Sequence, residues 1–324
     1  MNFIDLNQWL IKMIFANPFK LKELGILGMN NRNINYIGKL NKRKNFPLVD
    51  DKLKTKQIAQ EHNIAVPELL GFIEYQVQID NFKHYIKDEN GFVIKPAQGS
   101  GGKGILVIVK TIGNKFIKPN GVEVGYSDIK RHISNILSGL YSLGGKNDVA
   151  VFEKLVEFDN VFDGFSFEGV PDVRVVVYKG YPALAMMRLS TSNSDGKANL
   201  HQGAVGVGID IKTGKALNAV QFDRPVQVHP DTQKPLKELK VPFWDDILLL
   251  ASKCYDMTNM GYLGADIVID KNKGPLVLEL NARPGLAIQI ANGIGAQTRF
   301  KKIDEVKYKE SAPEKRVLFS KTNF

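Results

Sequence analysis

The sequence predicts an α+β protein, and three observations carry that reading. Gly91-Phe92-Val93-Ile94-Lys95-Pro96 is a strand that runs into a glycine-rich loop, Ala97 to Gly104, and out again into the apolar run Ile105 to Val109. Two further apolar runs, Leu263 to Asp270 and Pro275 to Leu280, flank Lys271-Asn272-Lys273-Gly274, which reads as a hairpin turn. Around these strands, apolar residues recur at helical spacing, most clearly over 53–62, 128–141 and 243–256.

A chain of 324 residues buries a sizeable core and suggests one large domain or two to three lobes. With 44% hydrophobic and 24% charged residues the composition is that of an ordinary globular protein. No apolar run approaches the roughly 20 residues of a membrane span. Met1-Asn2-Phe3-Ile4-Asp5 lacks the basic start of a signal peptide, so a cytoplasmic location is the default expectation. The lone Cys254 excludes an intrachain disulfide and argues against a cysteine-rich metal site. The net charge of +10 suits an anionic ligand, with much of the excess in Lys39 to Lys44 and beyond Arg299. Aromatic residues do not interleave with these basic runs, so no nucleic-acid partner is expected.

In chain order, Phe3, Leu6, Trp9, Leu10, Met13 and Ile14 form a stripe at helical spacing, read as core packing, with a peripheral membrane contact as the alternative. Pro18, Gly25 and Gly28 interrupt the next segment. Asp50 or Asp51 caps a helix over Leu53 to His62, and Leu69 to Tyr75 is a strand. A helix is expected around Asp80 to Ile86, followed by the glycine loop. Four glycines in six residues (Gly99, Gly101, Gly102 and Gly104, with Ser100 between) let backbone N–H groups approach an anion closely. This is not a P-loop, because the G-x-x-x-x-G-K-[ST] order fails and a strand comes next. Lys95 just ahead favours a phosphate, since a buried ammonium needs an anion to offset its desolvation.

A helix over Asp128 to Tyr141 leads to the strand Val149 to Val156. Pro171-Asp172-Val173-Arg174-Val175 alternates, which puts Asp172 and Arg174 on one face. Lys179-Gly180 turns the chain into Tyr181 to Leu189, which carries Arg188. Asn199-Leu200-His201-Gln202-Gly203 precedes a glycine-spaced strand, Ala204 to Ile211. In the last hairpin Glu279 and Asn281 stand two positions apart on one strand, with Asp266 on the facing strand. Two carboxylates and an amide oxygen make a hard site suited to Mg²⁺, with polar residues facing water as the plain alternative.

Taken together, Lys52, Lys95, the glycine loop, Glu153 to Val156, Asp172 and the Asp266/Glu279/Asn281 set resemble the ATP-grasp superfamily. Within it the chain is most similar to the RimK-type alpha-L-glutamate ligases. Asn199-Leu200-His201-Gln202-Gly203 is close to that family's N-L-H-x-G-G, and Glu279 to Gly285 is close to its E-V-N-x-x-P-G. The resemblance covers roughly residues 47 to 298. It implies an ATP-grasp fold, with ATP clasped between two α+β lobes: a glycine-loop lobe over about 90–148 and a metal-binding lobe over about 149–298. A helical and basic region over 1–46 precedes them, and a basic tail over 299–324 ends the chain.

By this resemblance Lys52 and Lys95 hold phosphates, and Gly99, Ser100, Gly101 and Gly102 close over them. Glu153, Lys154, Leu155 and Val156 match the adenine hinge, Asp172 the acidic position at the ribose, and Lys197 a position near the phosphates. Arg188, Asn199 and Arg283 are matched to catalysis, Arg174 and His201 to substrate binding, and Asp266, Glu279 and Asn281 to Mg²⁺, with Mn²⁺ as the substitute. The implied activity is an ADP-forming carboxylate–amine ligase that makes an acylphosphate and passes it to an amine on an amino acid, peptide or protein tail. Glutamate or another acidic amino acid is the expected addition. A small-molecule kinase and a nucleotide-binding regulatory module are the competing readings. The chain departs from the family at three places. Only about 46 residues precede the match, Gly264 or Ala265 stands where the family has an arginine, and Ala204 replaces the second glycine of H-x-G-G.

Overall fold

A computed structural model describes residues 17–87, 89–99, 101–306 and 312–324. The stripe from Phe3 to Ile14 and Ser100 therefore lie outside the described residues. The chain opens with α1 (Pro18–Glu23) and a helical run over 29–40 whose middle, Arg32–Ile37, is π-helical. Helix α2 (Lys52–Glu61) comes next. Its N-cap is Asp51, whose carboxylate accepts from the N–H groups of Leu53 and Lys54, as capping chemistry predicts.

The first sheet is built from β1 (Leu69–Ile73), β2 (Phe92–Pro96), β3 (Leu106–Ile108) and β7 (Ala150–Lys154), in the spatial order β1-β7-β2-β3 and antiparallel throughout. One face carries Phe92, Ile94, Ala150 and Phe152 and packs on Ile129, Ile133 and Ile136 of α3 (Tyr126–Leu137). The period of two then sends Val93, Lys95, Val151 and Glu153 to the other face, toward α2. A small outlying sheet, β4 (Lys110–Ile112), β5 (Lys115–Ile117) and β6 (Glu123–Val124), completes this lobe.

The second sheet has seven antiparallel strands in the order β12-β11-β10-β9-β8-β13-β14. They are β8 (Asp172–Tyr178), β9 (Tyr181–Leu189), β10 (Val205–Ile209), β11 (Ala216–Gln221), β12 (Arg224–Val226), β13 (Tyr262–Asp270) and β14 (Gly274–Asn281). On one face Val173, Val175, Val177, Met187 and Ile267 bury against Ile247, Leu248 and Ala251 of α4 (Trp244–Thr258). On the other, Val176, Tyr178, Leu184 and Met186 are covered by Leu27 and Ile37, by Ile288 of α5 (Ile288–Asn292) and by Phe300 of α6 (Ala296–Asp304). That cover ends short of Asp172, Arg174, Arg188 and Asp266, whose side chains share this second face.

Two terminal segments are more integrated than their composition suggests. Asn41 donates to the Tyr262 carbonyl at 2.7 Å and accepts from the Tyr262 N–H at 3.0 Å, which ties the amino-terminal helical run to β13. Residues 299–324, expected as a basic tail, contain the end of α6 and all of α7 (Pro313–Asn323), and both are docked. Arg299 is buried and donates to the Ala183 carbonyl at 2.6 Å. Arg316, 1% exposed, bonds Ser252 Oγ at 3.0 Å and Asp256 at 2.5 Å. The basic residues of this segment include the groups that fasten it, which is why charge alone misreads it as solvated.

Removing Arg316 strands the polar groups it satisfies. Arg316→Ala should lower unfolding stability by about 3 kcal/mol. Urea titration checks this as a shifted midpoint at an unchanged slope, and an unshifted midpoint would show that α7 is held by apolar contacts alone.

Candidate active site

The two sheets face each other across a cleft at α2. A shallow cavity there is lined by Val49, Lys52, Lys56, Lys95, Glu279 and Leu280, so it joins residues of both lobes. Lys95 lies 2.7 Å from Glu153 Oε1, and Lys56 lies 3.1 Å from the same oxygen. All three side chains are 6% exposed or less. Two buried ammonium groups therefore share one carboxylate, which leaves an unneutralised positive charge in a place with little water. That is the condition under which an entering anion is favoured.

Lys56 was missed in the sequence, although a signal existed. It lies four residues after Lys52 and so one turn along the same helix face. Burial pushes its ammonium down to about 8, against the opposing pull of Glu153. Lys52 itself donates to the Gly99 carbonyl at 2.8 Å and stands 3.5 Å from Glu279, bridging the glycine loop to β14.

The glycine loop is pinned at its base and open at its tip. Asp148, buried, accepts from the Gln98 N–H at 3.0 Å and from the Ser142 hydroxyl. His132 Nε2 lies 3.0 Å from the Gly104 carbonyl. Gly104 has φ +75°, and a Cβ there would lie 2.5 Å from the Tyr141 ring, so only glycine fits. Gly101 and Gly102 also have positive φ but meet nothing within 4 Å, and with Lys103 they stand exposed. Asp148, Ser142 and His132 carry no motif that would have announced them.

Lys154, Leu155 and Val156, matched by resemblance to the adenine hinge, line a second shallow cavity with Glu68, Asp270 and Lys273. Two of their N–H groups are already engaged, Lys154 with the Glu68 carbonyl at 3.0 Å and Leu155 with the Gly91 carbonyl at 3.3 Å. Glu153, matched to the hinge, points instead into the lysine pair.

On the second sheet, register brings the predicted metal residues to one face. Asp266 pairs with Glu279, and Gly264 with Asn281. A bulge makes this work, because Val277 and Leu280 both face the main core although three positions apart. Strict alternation from Val277 would have sent Glu279 into that core. The extra residue turns it to the cleft, where its side chain is 46% exposed.

Asp266, 3% exposed, is held by both arginines. Arg174 donates through Nε at 2.7 Å and Nη2 at 2.5 Å, and Arg188 through Nη2 at 2.7 Å. Arg188 also grips Asp172 through Nε at 2.6 Å and through Nη2. Burial alone would raise the Asp266 carboxyl, but the two guanidiniums overcome it and hold the group below the ordinary carboxylate range. Asp172 goes the other way: its burial outweighs Arg188, and the Asp266 charge adds to the rise. Asp172, matched to the ribose, is thus spent on Arg188 within this cluster.

The remaining predicted residues stand outside it. Asn199 caps its own short turn, accepting from the His201 N–H at 3.1 Å, and His201 is exposed. Lys197 pairs with Asp195 on an exposed loop. Arg283 lies over the Phe46 ring at 4.7 Å and 3.9 Å from Asp50. Asn281 Oδ1 accepts from the Arg283 N–H at 2.8 Å. Among the described residues there is no group of three or more His, Cys, Asp or Glu placed to hold a metal, and no helix long and apolar enough to cross a membrane. The oxygen set at the hairpin is two carboxylates and an amide, a donor set that suits Mg²⁺, with both Asp266 oxygens engaged by the arginines in this structure.

The family described as sugar-transfer associated ATP-grasp matches residues 31–305, which begins earlier than the motifs alone suggest. No curated protein matches the sequence. A RimK domain ATP-grasp protein from Sphaerobacter thermophilus is 15% identical with a TM-score of 0.45, the match covering 81% of this chain and 70% of that one. D-alanyl-alanine synthetase A from Vibrio cholerae is 12% identical with a TM-score of 0.45, covering 86% and 67%. The ATP-grasp ligase PsnB, solved with a precursor peptide, is 11% identical with a TM-score of 0.40, and this chain spans only 60% of its length.

The Lys56 ammonium gives a pH test. Its folded value of about 8 lies below the unfolded 10.5, so between them the folded state binds fewer protons. Stability should then rise as pH increases across that window, by about 3 kcal/mol in full. Urea unfolding at about pH 7.5 and about pH 10 should show the rise in the wild type and its absence in Lys56→Met. Equal pH dependence in both proteins would remove the buried charge from the account.

Proposed function

The chain belongs to the sugar-transfer associated ATP-grasp family, and on that premise we propose that it is an ATP-dependent carboxylate–amine ligase working through an acylphosphate. The observation that carries the reading is the pair of buried ammoniums, Lys56 and Lys95, sharing the single Glu153 carboxylate under a glycine loop. In this reading the phosphates of ATP supply the missing negative charge, with Lys52 and the N–H groups of Gly99 to Gly102 completing the cradle. Lys154 to Val156 border the adenine.

Across the cleft, Asp266, Glu279 and Asn281 are the residues that would hold Mg²⁺, which when bound supplies charge neutralisation at the transferring phosphoryl group. The Nη1 groups of Arg174 and Arg188 make no protein hydrogen bond among the described residues, so each guanidinium retains donors for a substrate carboxylate. A carboxylate oxygen attacks the γ-phosphorus, the bond to the β-phosphate oxygen breaks, and ADP leaves. The amine then attacks the acyl carbon, phosphate departs with the former carboxylate oxygen, and the amine loses a proton. The exposed Gly101–Lys103 tip closes over the phosphates and excludes the water that would hydrolyse the acylphosphate. Glutamate or another acidic amino acid is the donor or acceptor to try first, and the protein works as a cytoplasmic enzyme.

Two measurements test this. With ATP, Mg²⁺, hydroxylamine and a panel of carboxylic acids headed by glutamate, hydroxamate should form in step with ADP. ADP released with a phosphorylated alcohol and no hydroxamate would make the protein a kinase. Glu279→Gln should keep ATP binding yet lose Mg²⁺-dependent turnover on the order of 100-fold, whereas Lys95→Ala should weaken ATP far more than adenosine.

A further inference from the structure

The amino-terminal segment over 17–46 is fastened tightly to the body, yet it turns an apolar and basic side to solvent. Its attachments are specific. The Leu27 N–H donates to Gln289 Oε1 at 2.7 Å, and Gln289 Nε2 donates back to the Leu27 carbonyl at 3.1 Å. Gly25 lies so close to the start of α6 that an added Cβ would be 2.3 Å from Thr298 Oγ1. Farther on, Tyr36 packs on Phe300 with ring centroids 5.2 Å apart. The buried Asn41 and Asn45 bond the backbone of Tyr262 and of Asn259. Exposure in a segment held at so many points belongs to its fold and not to fraying.

What the segment exposes has one chemical character. Helix α1 buries none of its residues, and Phe19 on it is 77% exposed. The helical run over 29–40 turns Tyr36, Ile37 and Leu40 inward, into the cover of the second sheet. Its outer side keeps Lys39 together with Met29 and Ile34, each of the last two 64% exposed. Lys42, Arg43 and Lys44 stand exposed on the turn between the two anchored asparagines. Residues 17–46 carry seven Lys or Arg against one acid, Glu23. Among the described residues none of those seven forms an ion pair.

Unpaired cations beside exposed Phe, Met and Ile suit a partner with a dense anionic layer and an apolar zone just beneath it. A second copy of the chain does not provide this, because an isologous contact sets like charges against each other. A nucleic acid offers the anions but leaves Met29 and Ile34 without a role, and no aromatic residue interleaves with Lys42 to Lys44. An anionic lipid surface offers both, with headgroup anions for the cations and an acyl boundary within a side chain's reach. We propose that the outer side of residues 17–46 docks on an anionic membrane surface. Phe19, Met29 and Ile34 enter the headgroup layer, and Lys42 to Lys44 pair with lipid anions. The contact is with a surface and is not a span, since no helix among the described residues is long and apolar enough to cross. It does not depend on the reaction assigned to the cleft.

Co-sedimentation of the full chain with vesicles tests it. The protein should bind phosphatidylcholine vesicles that contain phosphatidylserine, come off them as salt is raised, and leave phosphatidylcholine alone unbound. Lys42→Gln, Arg43→Gln and Lys44→Gln together should weaken binding on the order of 100-fold. Met29→Ser with Ile34→Ser should weaken it about tenfold at unchanged charge, which a purely ionic contact does not predict. Both sets of side chains are exposed, so melting temperatures should stay at the wild-type value, which separates lost docking from lost fold. No binding to the mixed vesicles, or equal binding by the Gln variant, would overturn the proposal. Equal binding by the Ser variant would overturn it too, and single-stranded RNA bound as tightly as the vesicles would then identify a general polyanion surface.

Discussion

The Asp266 carboxylate is the point on which the second sheet is arranged. It sits at 3% exposure on a strand whose every residue is buried, so its charge must be met by partners held in register. Arg174 comes from the paired position on β8, and Arg188 from β9 one strand further on. A register slip of one residue on either strand would turn its arginine into the apolar core beneath α4 and leave Asp266 unpaired, a cost of several kcal/mol. The ion cluster therefore fixes the alignment of three central strands as well as the chemistry of the face.

The same cluster sets the terms on which the site accepts ligands. Both Asp266 oxygens are taken by guanidiniums, while Glu279 beside it is half exposed and only loosely met by Lys52 at 3.5 Å. A cation at the hairpin and the arginines are thus rivals for one carboxylate. In the proposed ligase reading, an anionic substrate that drew Arg174 or Arg188 toward itself would free Asp266 for a cation, so the two ligands would favour each other's entry.

Much of this was legible in the sequence because it rests on short-range pattern. Period-two alternation put Asp172 with Arg174 and Glu279 with Asn281, the hairpin turn put Asp266 on the facing strand, and the glycine loop announced itself by composition. What stayed hidden depended on irregularity or on distance. The bulge near Leu278 decides that Glu279 faces the cleft, yet an extra residue in a strand leaves no trace in an apolar run. Asp148 holds the glycine loop from 50 residues away, a contact that only the folded sheet creates. The carboxy-terminal segment misled because Arg299 and Arg316 are buried, and a buried arginine with carbonyl and carboxylate partners has the same letter as a solvated one. Lys56, one helical turn after Lys52, was within reach of helix periodicity, but no motif directed attention to it.

The cleft divides its charges between its two walls, and that division would let one site handle two anions without mixing them, as the proposed reaction requires. The α2–β2 wall carries more ammonium than carboxylate in a dry setting and offers backbone N–H groups from glycine, which is an environment for phosphate. The β13–β14 wall is neutral in its resting cluster and presents oxygens together with guanidiniums, which is an environment for a cation and a carboxylate at once. Lys52 spans the two, bonding the Gly99 carbonyl on one side and facing Glu279 on the other. A phosphate drawn to the first wall and a carboxylate drawn to the second meet at Lys52, where the developing charge of phosphoryl transfer would be greatest. On the proposed reading the ligands' own charges would then draw the walls together, because neither wall neutralises the other.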